Sequence, residues 1–177
     1  MTWRHWAVLP LLMLAFSARS QLQQQQQQQP QPEPLSWPGI VSYVVDGDTL
    51  HVRPMEGGAV HKIRLIGIDA PEICQTGGVA ARKALHERIH RRAVMVSPRG
   101  VDVYGRDLAA IYLSREDVGQ WMVQRGHAWS SRYQQDSGLY AQEEENAIFL
   151  GRGLFAQMPA EYPRDFRRRH GRCQFRR

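Results

Sequence analysis

The chain is nearly devoid of lysine: among its 177 residues are 21 Arg but only two Lys. Since both side chains bind phosphate, that imbalance points to coding bias more than to chemistry. Cysteine is equally scarce, with only Cys74 and Cys173. That excludes a Cys-rich zinc module or a disulfide-dense miniature scaffold. No Gly-rich nucleotide-binding loop occurs, so a P-loop or dinucleotide-binding reading has no support. Long apolar runs are missing too. Trp6 to Phe16, interrupted by Pro10, is too short to span a bilayer as a stable helix, and no other segment qualifies.

What is present is basic and globular in composition. The chain is 42% hydrophobic and 23% charged, with a formal net charge of +6 and a pI near 9.8. A polyanionic partner is the first inference. The distribution of charge modifies it. Residues 1–20 carry +2 and residues 161–177 carry +5, which leaves −1 for residues 21–160. The basicity sits in the tail, and a near-neutral body of this kind suits an acidic metal site.

Residues 1–20 read as a secretory signal: Arg4 and His5, an apolar run, then Ala18-Arg19-Ser20 at a cleavage position. The alternative is an uncleaved anchor. Residues 21–38 are a Gln- and Pro-rich linker unable to bury enough surface to order itself, a tether or a plain spacer. Residues 39–158 form the domain and 159–177 a basic tail. In an exported protein the two cysteines suggest one disulfide, the alternative being two free thiols. Its loop would span 99 positions, worth about 4–5 kcal/mol on the chain-entropy model.

Within the domain, Ile40 to Val45 and Leu50 to Arg53 are β-rich runs separated by Asp-Gly-Asp. Val60 to Ile68 is a third strand, Ala93 to Val96 a fourth and Asp107 to Leu113 a fifth. A helix from about Gly78 to Arg92 places Ala81, Leu85 and Ile89 on one face. A second follows a capping box, Ser114 to Asp117, and stops at Gly126. A third spans about Gly138 to Leu150. Three strands, a helix, two strands and two helices match an α+β, five-stranded OB-type β-barrel with three helices. Fold alone assigns no activity.

Three segments carry the chemistry: Val45-Asp46-Gly47-Asp48-Thr49-Leu50, Ile63 to Glu72, and Asp102 to Ala109. Asp48, Asp69 and Glu72 offer hard oxygens suited to Ca²⁺ or Mg²⁺. No Cys or His accompanies them, which argues against zinc. Arg64 and Arg106 add guanidinium groups of the kind that stabilise a phosphodiester transition state. A carboxylate can orient or deprotonate the attacking water. Each segment alone reads as an ordinary turn or strand. Together, in this order, they resemble the signature of the staphylococcal nuclease-like family over about residues 40–155.

That resemblance implies an OB-type barrel with three helices, Ca²⁺ dependence, and cleavage of DNA and RNA to 3′-phosphate products. It implies that Asp48, Asp69 and the Ala70 carbonyl ligate calcium, with Asp46 in or beside the surrounding shell. Arg64 and Arg106 would contact the scissile phosphate, Tyr104 would lie near it, and Glu72 would act as general base or water-orienting group. The match departs at the short loop carrying Cys74, and at Trp129 to Tyr133, which lacks the family's spaced tyrosines. The reading is an exported, monomeric enzyme with no membrane association in its mature form. The alternative is a non-catalytic nucleic-acid-binding module on the same barrel; the presence of all five residues favours the enzyme.

Several features stay open at this level. His86 and His90 could bind a metal or simply face solvent. Trp129 and Tyr133 could stack on bases or pack inward. The Arg-rich tail could hold nucleic-acid backbone, near the substrate entrance if Cys173 is bridged to Cys74, or have no specific role.

Overall fold

The computed structural model describes residues 35–132, 136–156, 159–171 and 173. The expected signal, most of the linker and Tyr133 lie outside them. Five strands make the barrel: β1 (Trp37–Val44), β2 (Thr49–Pro54), β3 (His61–Leu65), β5 (Ala93–Val101) and β6 (Asp107–Leu113). They pair antiparallel in the order β3-β2-β1-β5-β6. A parallel pairing of β3 with β6, from Ile63↔Asp107 to Leu65↔Ala109, closes the sheet on itself. This is the expected OB-type barrel. Two short strands, β4 (Ile68–Asp69) and β8 (Trp129–Ser130), pair beside it, and β7 (Glu116–Asp117) extends the edge at β6.

Inward alternation builds the core. Leu50 and Val52, Ile63 and Leu65, and Val94 and Val96 are all buried, each pair two residues apart as a pleated strand requires. β1 breaks the rule, since Val41 and Val44 are both fully buried. A bulge between Val41 and Tyr43 inserts the extra residue that turns Val44 inward.

Helix α1 (Gly78–Ile89) closes one side with buried Ala81, Leu85 and Ile89. It ends three residues earlier than the sequence pattern implies. Helix α2 (Val118–Gln124) is capped by Asp117, which accepts hydrogen bonds from the Gly119 and Gln120 backbone N–H groups. Ser114 is no cap: it sits at φ 51° in a turn. α3 (Ala141–Phe149) leads through a short 3-10 turn, Gly153–Ala156, toward α4 (Pro163–His170). There are thus four α-helices among the described residues, not three. The fourth lies in the expected basic tail, whose charge run hides it: Pro163 is its single buried residue. Pro163 occupies the first helical position, where a missing N–H costs nothing.

Three strands also differ from expectation: the third, expected over Val60 to Ile68, runs only from His61 to Leu65, because a turn at Gly67 (φ 73°) separates it from β4. β1 begins at Trp37, because Trp37 and Pro38 pair with Val96 and Met95. β5 runs on to Val101, past Pro98, which stands at a bulge in the pairing with β6. Trp129 is buried in a second small cluster with Ala147 and Phe155. Its ring meets Phe155 and Tyr162 edge-on at 5.7 and 5.6 Å, so it packs inward and is not available to stack on a base. Among the described residues no helix is long and apolar enough to cross a membrane.

Candidate active site

The site starts from the tight turn between β1 and β2. Asp46 Oδ1 accepts from the backbone N–H groups of Asp48 and Thr49, at 3.0 and 2.7 Å, an Asx turn that fixes its own backbone. Gly47 lets the turn approach its surroundings: a Cβ there would meet the Ala70 and Ala81 side chains at 2.6 and 2.9 Å. The turn therefore seats against the loop after β4 and against α1.

Asp48 is 7% exposed. Its Oδ2 accepts from the Ala70 N–H at 2.9 Å and pairs with Arg64 Nη1 at 2.8 Å, while Oδ1 accepts from the Thr49 hydroxyl at 3.0 Å. Arg64 reaches in from β3 and is no exposed strand residue. Its Nη1 also donates to the Leu65 and Ile68 carbonyls, and its Nη2 pairs with Asp69 at 3.2 Å. One guanidinium thus joins the carboxylates of two expected metal ligands. Ala70, between Asp69 and the Glu72 loop, is buried.

Arg106 comes from the turn between β5 and β6, where β6 begins to pair with β3. Asp102 Oδ1 accepts from the Tyr104 and Arg106 backbone, and its Oδ2 pairs with Arg106 Nε at 2.7 Å. Burial pushes the Asp102 carboxyl up, but those hydrogen bonds outweigh it and hold the group below its ordinary range. Arg106 Nη1 then donates to Thr49 at 3.4 Å, which is itself bonded to Asp48. Its guanidinium lies 5.6 Å from the centre of the exposed Tyr104 ring. Sequence reasoning gave no role to Asp102 or Thr49. Asp102 lies three residues before Gly105, a turn signal that could have marked it as the group aiming Arg106.

Asp46, Asp48, Arg64, Glu72, Tyr104 and Arg106 line one cleft of about 470 Å³. Asp69 lies against it through Arg64. The five side chains singled out in the sequence therefore converge. Arg167 of α4 also lines the cleft, and sequence reasoning placed it only in a basic cluster.

Four carboxylates, those of Asp46, Asp48, Asp69 and Glu72, crowd the site. Burial first, then the neighbouring Asp48, push the Asp46 carboxyl up to about 7. Burial raises Asp69 as well, against the opposing pull of Arg167 and Arg64. Buried carboxylates crowded in this way suit a hard cation, and the donors are the oxygen type that Ca²⁺ prefers. No group of three His, Cys, Asp or Glu side chains forms a ready metal cage among the described residues. His86 and His90 stack on each other with ring centres 4.1 Å apart.

Comparison with known proteins agrees with the geometry. A family model described as staphylococcal nuclease homologue matches residues 62–157. An uncharacterized endonuclease of Haemophilus influenzae is 34% identical over 125 residues, 71% of this chain and 70% of that protein. A micrococcal nuclease of Shigella flexneri is 34% identical over 142 residues, 73% of this chain and 80% of that protein. A probable staphylococcal-like nuclease of Oryza sativa subsp. japonica is 33% identical over 108 residues, 61% of this chain but 29% of that longer protein.

Proposed function

The chain belongs to the staphylococcal nuclease family and is a nuclease; from that premise we propose that it is an exported, Ca²⁺-dependent phosphodiesterase that cleaves DNA and RNA to 3′-phosphate products. The observation that carries this reading is the convergence of Asp48, Arg64, Asp69, Glu72 and Arg106 about one cleft. Asp48, Asp69 and the Ala70 carbonyl would hold the calcium, with Asp46 beside them. Bound there, the ion would supply Lewis acidity and a template for the phosphate.

The chain's own groups do the rest. Arg64 on β3 and Arg106 just before the neighbouring β6 both line the cleft, and their planar forks match the equatorial oxygens of the phosphorane-like transition state. Glu72 holds the attacking water and takes its proton. The water oxygen bonds to phosphorus as the bond to the 5′-oxygen breaks. The departing 5′-oxygen takes a proton from solvent and Glu72 returns its own to solvent, leaving a 3′-phosphate and a 5′-hydroxyl. Tyr104, exposed above Arg106, stands where a neighbouring nucleotide would pass. The signal-like sequence pattern of residues 1–20 and the Cys74–Cys173 disulfide support export to an oxidising compartment.

The test is digestion of plasmid DNA and of RNA with Ca²⁺, with chelator, and with Glu72→Gln. Chelation should abolish cleavage, and Glu72→Gln should lower kcat by about 10²- to 10⁴-fold. Wild-type rates in both controls would remove the mechanism.

A further inference from the structure

Helix α4 lies beyond residue 157, where the match to the family model ends, yet it reaches the site. Of its three consecutive arginines, two turn away. Arg168 pairs with Asp165, and Arg169 with Glu161. Arg167 alone turns in. Its fork grips Asp69 side-on, Nη1 to Oδ1 and Nη2 to Oδ2, both at 3.1 Å. The same Nη1 pairs with Glu72 Oε1 at 3.1 Å. Among the described residues this is the one ion pair that Glu72 makes.

The helix is tied to the Glu72 loop from outside as well. The Gln75 side chain donates to the Glu161 carbonyl at 2.6 Å. The Tyr162 hydroxyl donates at 3.1 Å to the carbonyl of Ser130, in β8, the strand that pairs with β4. A disulfide joins Cys74, two residues after Glu72, to Cys173, three residues past the end of α4. The loop that carries Glu72 and the helix that carries Arg167 are therefore one covalently fastened unit.

We propose that Arg167 is a positioning residue of the nuclease, holding the Glu72 carboxylate against Asp69 at the cleft. The inference rests on the reading that Glu72 serves the attacking water. A glutamate on a loop samples several rotamers, and each one off-line removes the water from its approach to phosphorus. The guanidinium fork fixes the plane of Asp69, and its shared Nη1 ties one Glu72 oxygen to that fixed frame, which an ammonium cannot do. The disulfide and the Gln75 bond keep the fork delivered.

The experiment uses the full chain and five forms: wild type, Glu72→Gln, Arg167→Ala, Arg167→Lys and Cys74→Ser/Cys173→Ser. Substrates are a single-stranded DNA oligonucleotide and the small diester bis(p-nitrophenyl) phosphate. Arg167→Ala should lower kcat about 10- to 100-fold on both substrates, with KM for the oligonucleotide nearly unchanged. Arg167→Lys should recover only part of the loss, and dilute guanidinium should partly rescue Arg167→Ala, which separates a lost fork from a lost fold. In chelated protein, amide exchange at residues 72–77 should quicken in Arg167→Ala. Losses from Arg167→Ala and from the cysteine pair should combine less than additively.

Three results would overturn the proposal: a wild-type kcat in Arg167→Ala, a loss confined to KM for the oligonucleotide, or faster cleavage with tighter Ca²⁺ binding by calorimetry. The first two leave Arg167 idle or a docking residue, and the third makes it a competitor of the cation. A fully active Glu72→Gln removes the underlying reading and this inference with it. An inactive Glu72→Gln beside an intact Arg167→Ala removes only the inference.

Discussion

Gly78 shows how closely the active-site loop is fitted. It opens α1, and a Cβ on it would overlap the Glu72 carbonyl and come within 2.9 Å of the Ile73 Cα. Both are backbone atoms, so no side chain can yield. Gly78→Ala must therefore move the loop that presents Glu72. The substitution should cost about 1–3 kcal/mol of stability through overpacking. It should also lower kcat about tenfold or more, since displacement by a fraction of an ångström spoils alignment of the attacking water. Thermal unfolding and steady-state kinetics on one preparation separate the two effects. A variant with unchanged kcat would show that the loop position does not govern the chemistry.

At the level of elements, one side chain holds two helices together. Asp117 caps α2 with Oδ1, and with Oδ2 it accepts from the Tyr140 hydroxyl at 2.9 Å, at the start of α3. Burial and the nearby Asp117 carboxylate push the Tyr140 phenol well above its ordinary range, so it remains a donor across the working pH range. Asp117→Ala removes the cap and strands a buried hydroxyl. The expected cost is about 1–2 kcal/mol for the cap, with a further loss from Tyr140. Denaturant titration measures it, and Tyr140→Phe in the same background should recover part of the deficit. The barrel strands should be little affected, because α2 and α3 pack on a closed sheet that supplies its own hydrogen bonds.

Across the whole molecule, the disulfide between Cys74 and Cys173 fastens the C-terminal segment to a loop 99 positions earlier. Breaking it restores freedom to a long unfolded segment while leaving the barrel core intact. Cys74→Ser/Cys173→Ser should therefore lower the unfolding free energy by about 2–5 kcal/mol. Guanidinium midpoints with and without reductant read that loss, and reductant should have no effect on the double variant. Equal stability of oxidised and reduced wild type would mean that the bridge constrains nothing beyond α4.

The sequence by itself determined the barrel, the order of its five strands and first three helices, and the five side chains proposed for the chemistry. The reason is physical: alternation at period two sets the core face of β2, β3 and β5 whatever surrounds them. Likewise Asp-Gly-Asp and Asp-Ala-Pro-Glu put carboxylates where strands end. The bulge that makes both Val41 and Val44 core residues has no such period, nor does the strand that continues through Pro98. Both are settled by pairing with a neighbour distant in the chain. The same holds for Thr49 and Asp102, which aim other residues and carry no motif of their own. Only the tertiary structure decided that one arginine in a charged tail enters the cleft. Arg167, Arg168 and Arg169 are chemically identical in sequence, and what separates them is which side of a tethered helix faces Asp69 and Glu72.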